Sequence, residues 1–176
     1  MQVQRHEKEA IHLIKTKRIV QIGIGIALYV VLSMLVNVPI VGHVRFDAWY
    51  ICYAVYLDLF GWWGIIVGVV GCFIKGYVSD GWIPFTWMVG QTIVGVSCAA
   101  VFAKTDNPFW KIAVIVVSAI LGIGIVSSVM SALMFGQPIL MKIGRGMITA
   151  AADIFPMMIG MAISSKLKQT NLSYLQ

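Results

Sequence analysis

Apolar residues in this chain come in long unbroken runs, and polar residues are confined to the gaps between them. Runs of about 20 residues read as transmembrane helices, whereas a membrane β-barrel needs alternating segments of about ten. The pattern predicts six spans. The first covers 19–36, and Asn37, Pro39, Gly42 and His43 then open a loop to Asp47. The second, 48–60, is short for a full crossing and carries Asp58 near its far end, expected at the membrane surface or as the cap of the next helix. After a tight turn at Gly61 the third span runs over 62–78, and a Ser79, Asp80, Gly81 turn leads into the fourth, 84–103. The polar, proline-bearing segment 104–111 reads as a plain loop. The fifth span, 111–134, ends at Gly136, Gln137 and Pro138, and the sixth covers 144–165 with Asp153 near mid-depth.

Composition agrees with the pattern. Hydrophobic residues make up 60% of the 176 residues, charged residues 11%, and the mean hydropathy is +0.90, outside the range of a soluble domain. The expected fold class is an all-α integral membrane protein, a bundle of six transmembrane helices. Residues 1–18 read as a basic interfacial segment, 19–168 as one membrane domain and 169–176 as a tail. Cys52, Cys72 and Cys98 all fall inside apolar runs without a CxxC pair, which predicts reduced core thiols.

Charge then sets the topology. Six spans put both termini on one side, with nine of the thirteen Lys and Arg residues, so the positive-inside rule makes both termini cytoplasmic. The other four cations, Arg45, Lys75, Lys142 and Arg145, fall on the outer side among aromatics. Together with Asp47, Trp49, Tyr77, Asp80, Trp82, Trp87, Gln91, Gln137 and Asp153 they form a candidate pocket for a polar or anionic solute, the cations binding it and the rings enclosing it. Asp153 stands out, because a mid-helix carboxylate costs ~2.5–3.5 kcal/mol on insertion scales and usually faces the bundle interior. Arg145, two turns earlier, or Lys75 is its expected partner. The alternative pairs Arg45 with Asp47 and Lys75 with Asp80, leaves Lys142 and Arg145 to lipid phosphates, and makes the aromatics an interfacial belt. Small residues at four-residue spacing form two faces for close helix packing, Gly23 with Ala27 and Gly64 with Gly68 and Cys72.

Nucleotide-binding loops, HExxH runs and nucleophile elbows are absent from the sequence, so no enzymatic activity and no metal is expected. The six spans, the Gly23 and Ala27 pair, the NVPIVGHVRFDAW loop and a glycine-rich third helix ending in GYVSDGWIPF resemble the substrate-binding S components of energy-coupling factor (ECF) transporters. The resemblance extends over 19–168. It implies capture of a vitamin or related micronutrient at the extracellular face of a prokaryotic plasma membrane. It also implies docking through Gly23 and Ala27 to a transmembrane coupling subunit, the T component, with ATP used by a pair of partner ATPases and no cofactor in this chain. The family's docking pair is commonly alanine; here glycine stands at the first position. The cations suit a carboxylate such as pantothenate, and the aromatics suit a pyrimidine, thiamine or deazapurine ring. A stand-alone carrier or an oligomeric channel is the other reading, and no partnership with nucleic acid is expected.

Overall fold

The computed structural model describes the backbone of residues 2–41, 44–81 and 84–170, and the side chains there except at 2–15, 37–41, 44–45 and 80. Six helices follow one another in up-and-down order, five of them long and apolar enough to cross a membrane. They are α1 (Gln2–Leu35), α2 (Trp49–Phe60), α3 (Trp62–Lys75), α4 (Phe85–Phe102), α5 (Pro108–Phe135) and α6 (Ile139–Gln169). A π-helical turn, Gly76–Asp80, extends α3, and a longer π-helical segment, Ile120–Ser127, interrupts α5.

The shortest helix is the centre. At 12 residues, α2 spans only about 18 Å, and it packs against α1, α3, α4 and α6. Tyr50, Tyr53, Ala54 and Leu57 along it are fully buried. Large rings on α2 need small residues opposite them. Gly64 lies against the Tyr56–Leu57 backbone and Gly68 against the Tyr53 ring, where an added Cβ would collide. The Gly64, Gly68, Cys72 stripe is thus used inside the subunit. Cys52, Cys72 and Cys98 are buried and unpaired, as expected.

Two expectations are corrected. The stretch before α2 is an antiparallel hairpin, with β1 (Asn37–Val41) paired to β2 (Val44–Asp47) and Pro39 opposite Arg45. Its β-branched residues favour extended backbone, which outweighs the loop signal of Pro39. The last helix begins five residues earlier than its apolar run, because Pro138 at its N-cap presets the entry and nothing after it breaks the helix. Lys142 and Arg145 therefore ride on the first turns of α6. Without contradicting an interfacial role for the basic segment, α1 runs unbroken from Gln2 into the first span.

Candidate functional site

The end of the bundle that carries the hairpin holds most of the candidate residues. Trp49, at the start of α2, stacks on Tyr50 at 5.9 Å and approaches the Tyr29 ring at 6.0 Å, while Lys75 Nζ lies 5.7 Å from its ring centroid. Gln91 on α4 donates from Nε2 to the Tyr50 hydroxyl at 2.7 Å, and the Tyr53 hydroxyl donates to the Gln91 carbonyl at 2.7 Å. Asp153 on α6 is fully buried. The Tyr50 hydroxyl adjoins its carboxylate and Asp47 lies within range of its charge, yet no described residue makes a well-directed hydrogen bond to either oxygen. Arg145 and Lys75, the partners expected for it, form no ion pair with it. Arg145 is exposed and Lys75 is turned to Trp49. Two turns of helix put Arg145 above Asp153, but the α6 face that carries it opens outward.

Among the described residues, the buried side-chain polar atoms that lack a partner are Trp49 Nε1, Thr86 Oγ1, Gln91 Oε1 and both Asp153 oxygens. All belong to the hairpin-side halves of α2, α4 and α6. Leaving such an atom unpaired costs ~1–3 kcal/mol, so five together mark a place where something else completes the bonding.

The other candidates divide. Asp47 is buried beside this cluster. Trp87 is half-buried and shares a cavity of about 90 Å³ with Lys142, Arg145, Ser127 and Ser128. Tyr77 is exposed and stacks on Phe73, so it does not join them. Gln137 is exposed in the link between α5 and α6. Arg45 sits in β2 and Asp80 ends the π turn, both with side chains outside the description, and Trp82 lies outside the described residues. Residues that sequence reasoning missed are Thr86, Ser127 and Ser128, uncharged residues with no local mark, and Tyr53, whose three-residue spacing from Tyr50 was the available signal.

The far end of the bundle overturns the expectation for Asp58. It caps no helix: its side chain is fully buried and accepts from Lys111 Nζ at 2.7 Å, Lys168 Nζ at 3.0 Å and Ser164 Oγ at 2.6 Å. The N-cap of α3 is Gly61 with no side-chain cap bond, and residues of α5 and α6 close over Asp58. Lys111 is likewise not a loop cation. Asn107 caps α5 by accepting from the Phe109 amide at 3.0 Å, which places Lys111 one turn inside the helix.

Gly23 and Ala27 lie on the outward face of α1, with open space beside Gly23. The contact inside the bundle is made by Gly25, whose carbonyl accepts from Cys52 Sγ at 3.6 Å.

A helical membrane bundle with a buried, incompletely bonded polar cluster at one end has the architecture of a substrate-binding membrane protein. The chain belongs to the family described as the S component of the ECF-type riboflavin transporter, whose model matches residues 13–169. It is a substrate-binding transport subunit and not an enzyme. A UPF0397 protein of Streptococcus thermophilus is 24% identical over 154 residues, covering 82% of this chain and 85% of that one. A second protein of that species, from another strain, is 29% identical over 99 residues, 56% of this chain and 55% of its own length. Among solved structures, the biotin S component of an ECF-type ABC transporter matches with a TM-score of 0.64 at 13% identity, over 88% of this chain and 92% of that one, which is likeness of fold.

Proposed function

We propose that the chain captures a vitamin at the hairpin end of the bundle for ATP-driven import. The five unpartnered polar atoms of Trp49, Thr86, Gln91 and Asp153 carry this reading. Four of them can accept hydrogen bonds, so the solute that completes them brings donors: ring N–H groups, an amine or hydroxyls. Trp49, Tyr50 and Trp87 offer aromatic surface beside them. A heteroaromatic vitamin bearing hydroxyls fits better than the simple carboxylate suggested by the cations, and riboflavin is the first candidate, given the family's description. Lys75 borders the Trp49 ring, Asp47 is buried two residues before Trp49, Arg45 lies in the hairpin and Asp80 in the π turn, Trp82 lies outside the described residues, and Lys142 and Arg145 line the cavity beside Trp87.

In this reading the hairpin end is extracellular, both termini are cytoplasmic, and the membrane is the plasma membrane of a prokaryote. The outward face of α1, with Gly23 and Ala27 among exposed Val20, Ile24 and Leu28, docks to the T component. Two partner ATPases supply the energy.

The test is gentle purification followed by mass spectrometry of the small molecules that remain bound, then calorimetry with riboflavin. A retained vitamin that rebinds with defined stoichiometry supports the reading. Reconstituted uptake should require ATP and the partner subunits; accumulation by the chain alone would sink it. Ala27→Leu should spare solute binding and abolish partner-dependent uptake, because a bulky side chain blocks close helix approach.

A further inference from the structure

Lys142 and Arg145 stand three residues apart on α6 and so share a face, where like charges repel. Neither forms an ion pair with a described residue. Both line the cavity of about 90 Å³ between α6 and the π-helical segment of α5, together with Ser127, Ser131 and Thr149, and Trp87 closes one side. That volume is several times the ~10–15 Å³ a single water needs.

The hydroxyls there are not equivalent. Thr149 Oγ1 donates to the Arg145 carbonyl at 3.1 Å, and Ser128 Oγ donates to the Ile123 carbonyl at 3.3 Å, five residues back in the wide turn. Ser127 and Ser131 have no hydrogen-bond partner among the described residues. What remains in the cavity is an ammonium and a guanidinium, which only donate, and two hydroxyls, which can donate as well as accept. The neighbouring cluster is the reverse, with acceptors that lack donors. Trp87 and Gln91, one helical turn apart on α4, connect the two.

We propose that this cavity is an oxyanion subsite, in which Lys142 and Arg145 hold a phosphate or carboxylate group of the captured solute while its donor-bearing ring meets Gln91 and Asp153. The inference rests on the binding reading above. With it the solute carries donors at one end and an oxyanion at the other, so among flavins the monophosphate ester of riboflavin replaces riboflavin itself as the first candidate. Paired charge-assisted hydrogen bonds of this kind are the strong ones.

Calorimetry on the purified full chain, comparing riboflavin with its monophosphate ester, reads the preference. Wild type should bind the ester about tenfold more tightly or better, and the ratio should fall to near one in K142Q/R145Q. A wild-type ratio near one, or a ratio untouched by the double substitution, overturns the subsite. If neither flavin binds, the flavin reading fails by itself, and inorganic phosphate titrated at constant ionic strength decides the subsite. A saturable change in tryptophan emission, abolished by Trp87→Phe and by K142Q/R145Q, upholds it, and no saturable change overturns it. The titration is repeated in nanodiscs of phosphatidylcholine and of phosphatidylglycerol. A phosphate response equal in both assigns the oxyanion to solute; competition by phosphatidylglycerol assigns it to a lipid headgroup and overturns the solute subsite.

Discussion

Asp58 and Asp153 are both buried carboxylates in a membrane bundle, packed between α2 and α6 at opposite ends, and they are handled in opposite ways. Asp58 receives two lysine ammoniums and a serine hydroxyl, which ties α2, α5 and α6 together. Asp153 is as deeply buried and neither of its oxygens is satisfied by a described residue. A buried charge is tolerable when its partners come with it. Where they do not, folding forgoes ~1–3 kcal/mol per unpaired atom. The same residue type therefore acts as a clamp at one end and, in the function proposed above, as a solute contact at the other.

The largest effect should come from breaking the clamp. Asp58→Ala leaves Lys111 buried without its main partner, a loss of ~3–5 kcal/mol. Thermal unfolding in detergent should show a melting point lower by on the order of 10 °C. An unchanged melting point would mean that the network contributes nothing.

Asp153→Asn should do the reverse. It keeps the shape and replaces one unpartnered oxygen with an amide donor, so the melting point stays level or rises, while solute binding weakens roughly ten- to hundredfold, or ~1.4–3 kcal/mol. Calorimetry beside a melting curve separates the two. Full affinity with a lowered melting point would turn Asp153 into a second structural group and dissolve the contrast.

The smallest effect is expected at the rim of the clamp. The Lys168 side chain is 32% exposed and that of Lys111 only 4%, so Lys168→Ala should cost ~1 kcal/mol or less. A loss as large as that of Asp58→Ala, read in the same melting assay, would show that the three groups act as one unit.

Much of the fold was legible. Six apolar runs, the Gly61 turn and the Gly136–Pro138 break correspond to the six helices, since apolar length and helix-breaking residues act locally. The hairpin was not, because Pro39 and Gly42 read as loop until β1 and β2 pair. The start of α6 was missed because cations ended the apolar run while the backbone stayed helical. Of the residues with unpartnered buried atoms, Trp49, Gln91 and Asp153 were picked out in the sequence by residue type at depth. Thr86 and the serines of α5 were not, as a hydroxyl in a membrane helix usually returns its bond to its own backbone, as Ser118 does to Ile115 at 3.3 Å.

By itself the sequence determined the class, the number of helices and the mid-helix carboxylate of Asp153, because hydrophobic length and insertion cost are properties of each segment alone. Only the tertiary structure decided which carboxylate is satisfied. The bonds to Asp58 join residues 53, 106 and 110 positions apart, and no periodicity in a single helix says which helices will be neighbours. The packing of α5 and α6 against the end of α2 closes that shell, while Asp153 is left with open valences beside Tyr50 and Gln91.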